Sequence, residues 1–129
     1  MENTARVLVV DDEPDVLFLT KTQLELAGYQ VFTAFNGRSA LEGIRANKPA
    51  LVILDIMLPD MDGFEVLRQI RNDPEIAHIP VLLHTAHKAM EVILRTKREL
   101  TQGRQEFLFK DVSSEVFLSQ VEAMLKPHD

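Results

Sequence analysis

Hydrophobic residues occur in this chain either as short unbroken runs or at helical spacing, and polar loops separate the two patterns. The clearest run, Leu51–Leu54, has four apolar residues in succession, which is typical of a strand buried on both faces of a parallel sheet. It ends at Asp55, and the polar loop that follows closes at Gly63. Because a carboxylate at the end of an apolar strand is costly unless it faces solvent, a cation or a substrate, Asp55 is a candidate functional residue.

The same pattern along the whole chain predicts five strands that alternate with five helices. The strands are predicted at Ala5–Val10, Gln30–Ala34, Leu51–Leu54, Pro80–His84 and Phe107–Phe109. The helices are predicted at Asp15–Ala27, at Ser39–Ala46, from an Asp62/Glu65 capping box to Arg71, at Lys88–Thr101, and after a cap at Ser113 or Ser114. This alternation indicates βα units, which form a parallel sheet with right-handed crossovers and helices on both faces.

Length and composition are those of one globular domain. The chain has 129 residues, of which 46% are hydrophobic and 26% charged, so it can bury a proper core. It has no cysteine for disulfides or thiolate metal sites, no apolar run of bilayer-spanning length and no signal-peptide pattern. Its net charge of −6 disfavours non-specific binding to nucleic acid. We therefore expect a single cytoplasmic domain over residues 1–129, with no output domain and no membrane or direct nucleic-acid partner.

Polar residues directly follow four of the predicted strands: Asp11 and Asp12, Asp55, Thr85, and Lys110. Each one alone has a structural explanation as a cap, a turn residue or a solvated side chain. At the carboxyl ends of parallel strands, however, all should meet at one edge of the sheet. Carboxylates without histidine or thiolate favour Mg²⁺ or Ca²⁺, and a lysine and a hydroxyl suit phosphoryl oxygens. Asp55 can then act as the carboxylate nucleophile that forms an acyl phosphate.

With these residues the chain resembles the receiver domain of two-component response regulators over essentially its whole length. Four stretches carry the resemblance: Val7–Pro14, Leu51–Gly63, Pro80–Ala86 and Phe107–Lys110. The resemblance implies a doubly wound, flavodoxin-like α/β fold with the strand order 2-1-3-4-5. It also implies a signalling module that catalyses only its own phosphorylation and dephosphorylation.

The phosphoacceptor and its metal ion follow from the same resemblance. It implies that Asp55 accepts a phosphoryl group from a sensor histidine kinase or a histidine phosphotransfer protein. Asp12, Asp55 and the backbone carbonyl of Met57 would hold Mg²⁺, with Mn²⁺ as the alternative ion. Asp11 would assist through water.

The resemblance also assigns switching and tuning residues. Lys110 would pair with a phosphoryl oxygen, Thr85 would hydrogen-bond another and move inwards, and Phe107 would follow as the switch aromatic. Met57 and His87 lie where family members tune dephosphorylation by admitting or shielding water. The structural alternatives, a solvent-facing loop residue and a first-turn helix residue, stay open.

The first helix offers a candidate docking surface. Its four consecutive apolar residues, Val16–Leu19, surround a whole turn, so one or two of them should remain exposed. Because this turn borders the predicted site, Leu17 and Phe18 are candidate contacts for the phosphodonor; partial burial by neighbours is the alternative. The sequence does not specify the downstream protein partner, and it leaves open a homodimer formed on phosphorylation.

Two features depart from the family pattern. The lysine is normally followed by proline through a cis peptide, but here Asp111 follows Lys110. Because a cis bond without proline costs about 3–4 kcal/mol, this bond is either trans or strained, and Asp111 could compete for the ammonium. The span from Thr85 to Gly103 is also longer than usual. A pseudo-receiver regulated by something other than phosphorylation is therefore the main alternative, and a metal-dependent phosphohydrolase is a distant third.

Overall fold

Five parallel strands form the centre of the molecule, as a computed structural model shows for residues 5–86, 89 and 103–126. The strands are β1 (Arg6–Val10), β2 (Gln30–Ala34), β3 (Leu51–Leu54), β4 (Val81–Thr85) and β5 (Gln105–Phe109). The helices within the described residues are α1 (Pro14–Leu26), α2 (Gly37–Asn47), α3 (Gly63–Asn72) and α4 (Ser114–Leu125). The helix predicted at Lys88–Thr101 lies, apart from Ala89, outside the described residues.

The sheet has the order β2-β1-β3-β4-β5, and every neighbouring pair is parallel. This confirms the predicted doubly wound α/β fold and its strand order. β3 lies at the centre, and all four of its residues are buried. The unbroken apolar run was therefore a correct indicator of a strand covered on both faces.

Two hydrophobic cores lie on opposite faces of the sheet. Leu8 and Val52 pack with α2 and α3, whereas Val7 and Leu51 pack with α1 and α4. Consecutive strand residues point to opposite faces, so each apolar strand serves both cores. The helices on both sides leave the carboxyl edge of the sheet open, which is where the candidate residues were predicted. None of the helices within the described ranges is long and apolar enough to cross a bilayer.

Side-chain caps explain where the helices begin. Asn36 accepts a hydrogen bond from the Ser39 amide at 2.7 Å, so α2 starts at Gly37, two residues before the predicted start. Asp62 caps α3 through the Glu65 amide at 2.9 Å. The Glu65 carboxylate, however, accepts from side chains of α3, Arg68 and Gln69, rather than completing the predicted box. Ser113, one of the two predicted candidates, caps α4.

Candidate functional site

The ends of the strands bring the predicted polar residues to one edge of the sheet. Asp11 and Asp55 directly follow β1 and β3, Thr85 ends β4, and Lys110 directly follows β5. Their backbones continue the sheet hydrogen bonds: the Asp55 amide donates to Val10 at 3.0 Å, and the Lys110 amide donates to Thr85 at 2.8 Å. The sheet itself therefore fixes the origin of each side chain.

Asp55 is buried, and both of its carboxylate oxygens accept hydrogen bonds. The Thr85 hydroxyl donates to Oδ1 at 2.9 Å, and the Lys110 ammonium donates to Oδ2 at 3.0 Å. The backbone amide of Met57 also donates to Oδ1, at 3.3 Å. A carboxylate that accepts hydrogen bonds from a hydroxyl and an ammonium is held in one orientation. The same two donors could also bind the oxygens of a group attached to that carboxylate.

Lys110 joins two of the acids. Its ammonium lies 2.8 Å from Asp11 Oδ2 and 3.0 Å from Asp55 Oδ2, and 4.0 Å from Glu13 Oε1. Burial alone lowers the pKa of Lys110, but the hydrogen bonds to Asp11 and Asp55 outweigh burial and raise that pKa above its usual value. Lys110 is therefore a fixed positive charge at neutral pH.

The peptide bond after Lys110 is trans, because the described residues contain no cis peptide bond. The absence of the family's proline therefore does not require a strained cis bond here. The ammonium still reaches Asp11 and Asp55, so the departure at Asp111 leaves the predicted position of Lys110 intact.

The acids form a group that fits a divalent cation. Asp11, Asp12 and Asp55 each offer a carboxylate oxygen, and these oxygens all lie within 4.8 Å of one another. Burial raises the pKa of Asp11, even though its hydrogen bond with Lys110 acts in the opposite direction. Oxygen donors without nitrogen or sulfur suit Mg²⁺ or Mn²⁺. The donor set therefore fits the predicted ion.

A cleft of about 310 Å³ gives access to these groups. Asp12, Asp55, Thr85 and Lys110 line it, together with Met57. Met57 is 42% exposed, so it lines the cleft and is also accessible to solvent. His87, the other predicted tuning residue, lies outside the described residues.

Phe107 lies in β5, three residues before Lys110. It is partly buried against the core that α2 and α3 cover, and its ring centroid lies 6.1 Å from that of Phe64. In the sheet it pairs with Leu83, two residues before Thr85. The predicted switch aromatic thus packs beside the strand whose end carries the hydroxyl.

The exposed apolar pair on the first turns of α1 is Phe18 and Leu19, at 67% and 59% exposure. Leu17 is instead partly buried against the core beneath α1 and α4. The expectation that one or two residues of this turn stay exposed is confirmed. As a docking contact, Leu17 is less accessible than Leu19; whether a phosphodonor binds here stays a prediction.

Sequence reasoning missed two contributors near the site. Glu13 lies 4.0 Å from the Lys110 ammonium, and its position directly after Asp12 was the available signal. Asp60 accepts hydrogen bonds from the backbone of Gly37 and Arg38. No local sequence pattern predicts these hydrogen bonds, because Gly37 and Arg38 lie more than 20 residues before Asp60 in the chain.

Known proteins of similar sequence or fold match nearly the whole chain. The protein PilH of Pseudomonas aeruginosa is 36% identical over 121 residues, which cover 94% of this chain and 98% of PilH. The alkaline phosphatase synthesis transcriptional regulatory protein PhoP of Bacillus subtilis is 35% identical over 94% of this chain, which spans only 48% of PhoP. The chemotaxis response regulator CheY4 of Vibrio cholerae superimposes with a TM-score of 0.81 at 29% identity, covering 95% of this chain and 100% of CheY4.

The family match covers most of the chain. Residues 7–122 match the response regulator receiver domain. The matched range contains the three acids, the hydroxyl and the lysine that meet at the carboxyl edge of the sheet. This chain therefore belongs to the response regulator receiver domain family.

Proposed function

We propose that this receiver domain accepts a phosphoryl group on Asp55 in a Mg²⁺-dependent reaction and thereby switches the binding of a partner protein. The observation that carries the proposal is the environment of Asp55. Its two oxygens lie between the Thr85 hydroxyl and the Lys110 ammonium, beside two further carboxylates. A solely structural aspartate has no need of that combination.

The chemistry is a transfer from a phosphohistidine to a carboxylate. An Asp55 oxygen attacks phosphorus, a P–O bond forms, and the P–N bond to the donor imidazole breaks, so that the imidazole leaves with its electron pair and takes up a proton. Lys110 and Thr85 then bind phosphoryl oxygens in place of the carboxylate oxygens that they contact now. A sensor histidine kinase or a histidine phosphotransfer protein would supply the phosphoryl group.

Asp12, Asp55 and the Met57 carbonyl would hold the Mg²⁺ ion, with Asp11 acting through water. The ion would supply positive charge to the phosphoryl oxygens. Mn²⁺ has the same ligand preference and should substitute.

Phosphorylation would change the surface through β4 and β5. When Thr85 follows a phosphoryl oxygen, the end of β4 moves, and Phe107 packs directly beside that strand. A shift of the buried Thr85 and the partly buried Phe107 would alter the surface around β4 and β5, where a downstream protein or a second copy of the domain would bind. The cytoplasm remains the expected location.

The pseudo-receiver alternative finds no support, since the acids, the hydroxyl and the lysine are all present at one edge of the sheet, and Thr85 and Lys110 contact Asp55 directly.

Intact mass after incubation with acetyl phosphate and Mg²⁺ tests the proposal. We expect the wild type to gain one phosphoryl group, with none gained by Asp55→Asn or by wild type treated with EDTA. The adduct should be labile to hydroxylamine, as an acyl phosphate is. A phosphoryl group on Asp55→Asn would move the acceptor elsewhere. A wild type that neither gains mass nor responds to beryllofluoride would refute phosphoacceptance.

A further inference from the structure

Asp60 connects the loop after β3 to the start of α2. Its Oδ1 accepts from the Gly37 amide at 2.7 Å, and its Oδ2 accepts from the Arg38 amide at 3.0 Å. These hydrogen bonds, that from Gly37 foremost, lower the pKa of Asp60, so the carboxylate is ionised at neutral pH and the bonds are charge-assisted. The side chain is otherwise exposed and lines no part of the cleft described above.

The next residue of the loop strengthens this connection. Met61 packs on Gly37 so closely that a Cβ at position 37 would lie 2.4 Å from Met61 Cγ and 2.9 Å from its Sδ. Two consecutive loop residues therefore hold the same turn of α2, one by hydrogen bonds and one by packing. The absence of a side chain at Gly37 is what permits the approach.

The base of the loop is closed as well. The Gly63 amide donates to the Ile56 carbonyl at 2.8 Å. A Cβ at Gly63 would lie 2.6 Å from the Asp55 carbonyl oxygen, so the two ends of the loop are in direct backbone contact. Met57 lies between this closed base and the Asp60 contact. The position of its backbone thus depends on both.

The residues just before α2 also contact the acid cluster, at Asp11. The Asp11 amide donates to the Ala34 carbonyl at 3.1 Å, and Ala34 is two residues before the Asn36 cap of α2. The same corner of the molecule therefore contacts Asp11 through β2 and contacts the Met57 loop through Asp60.

We propose that Asp60 is a positioning residue for the metal site, because its two hydrogen bonds to α2 set the place of the loop that carries the Met57 carbonyl. This inference rests on the proposed function, since Met57 is a ligand only there. Outer contacts that orient metal ligands typically change affinity by about 10-fold or more when removed. Mg²⁺ affinity should accordingly depend on a contact outside the cleft.

Isothermal titration with Mg²⁺ tests the proposal on a matched set of variants. Asp60→Asn and Asp60→Ala lose the same charge, but asparagine keeps a carbonyl that can accept from the Gly37 amide. We expect the dissociation constant to rise about 10-fold in Asp60→Ala and clearly less in Asp60→Asn. The control Asp62→Asn removes a charge from the same loop and should stay near wild type.

Gly37→Ala gives a test without any change of charge. Its methyl group would lie 2.4 Å from Met61 Cγ, so the Met61 side chain must shift, and we expect the loss of its packing on α2 to weaken Mg²⁺ binding as well. In the wild type, Mg²⁺ should shift the amide resonances of Gly37 and Arg38, whereas Asp60→Ala should lose this response at Arg38. Thermal unfolding of every variant confirms that each is folded.

The outcomes separate the two proposals. If Asp60→Asn and Asp60→Ala bind Mg²⁺ equally, or if both match wild type, the positioning role is wrong while phosphorylation of Asp55 is unaffected. If wild type takes up a phosphoryl group but Gly37→Ala binds Mg²⁺ as wild type does, the part of the connection assigned to Met61 packing is overturned. A wild type that binds no Mg²⁺ would overturn both the metal requirement and the role of Asp60.

Discussion

His84 makes the stability of this domain dependent on pH. The side chain lies near the end of β4 and is 9% exposed, with its ring centroid 5.0 Å from that of Phe117. Burial, and secondarily the charge of Lys110, lowers the pKa of His84 from 6.5 to about 4. In the folded domain His84 is therefore neutral at physiological pH.

The sign of the effect follows from this lowered pKa. The unfolded chain takes up the proton near pH 6.5, whereas the folded chain resists until about pH 4. The free energy of unfolding is thus highest above pH 6.5 as far as His84 is concerned. It decreases as the pH falls from 6.5 to 4, because the unfolded chain gains the proton first. At 1.36 kcal/mol per pKa unit, the difference between the two values amounts to about 3 kcal/mol. That is a large part of the roughly 5–15 kcal/mol that stabilises an ordinary domain.

Urea unfolding of wild type and His84→Leu between pH 7 and pH 4 measures this contribution. The other titrating groups are common to both proteins, so the change with pH in the difference between their free energies of unfolding reports His84. We expect the wild type to lose about 3 kcal/mol more than His84→Leu across this range. Parallel pH profiles, or a His84 pKa near 6.5 by NMR, would refute the reasoning.

Three further substitutions have defined outcomes. Arg71→Met removes a guanidinium that donates to the carbonyls of Ala77, Ile79 and Arg104, and should lower the free energy of unfolding in urea by about 3 kcal/mol; unchanged stability would contradict it. Gly63→Ala forces a methyl group against backbone and should cost about 1–3 kcal/mol in the same assay, whereas a neutral result would show that the loop yields. Asp12→Ala should weaken Mg²⁺ binding by calorimetry at least about 10-fold, and an unchanged titration would move the ion elsewhere.

The features that sequence could predict are those with a local cause. The run Leu51–Leu54 is apolar because a central strand of a parallel sheet has no solvent face, and the structure buries all of it. The edge that gathers Asp55, Thr85 and Lys110 follows from parallel strands, whose carboxyl ends meet wherever the chain alternates strand and helix. The strand order, by contrast, came from the family resemblance, because periodicity carries no information about which strands are neighbours.

The features that sequence could not predict depend on contacts between distant segments. Four consecutive apolar residues on α1 gave no basis for choosing Leu19 over Leu17 as the exposed one, since that depends on how the helix lies against the core. The contact between Asp60 and Gly37 joins the loop after β3 to the start of α2, which only the assembled sheet brings together. Local chemistry thus locates the reacting groups, while tertiary contacts determine how firmly they are held.

Charge explains why these particular groups share one edge. The three carboxylates of Asp11, Asp12 and Asp55 and the ammonium of Lys110 together carry two negative charges, and the Glu13 carboxylate adds a third 4.0 Å from that ammonium. A divalent cation would offset two of these charges. Lys110 contacts Asp11 and Asp55, whereas Asp12 is exposed and lines the cleft. The Asp12 carboxylate is therefore accessible to a cation from the cleft. In the proposed reaction an incoming phosphoryl group would bring new negative oxygens, and Thr85 and Lys110 already donate to Oδ1 and Oδ2, respectively, of the carboxylate that would receive it. Under the proposed function, acceptance of the phosphoryl group and its sensing by β4 and β5 would therefore depend on the same two donors.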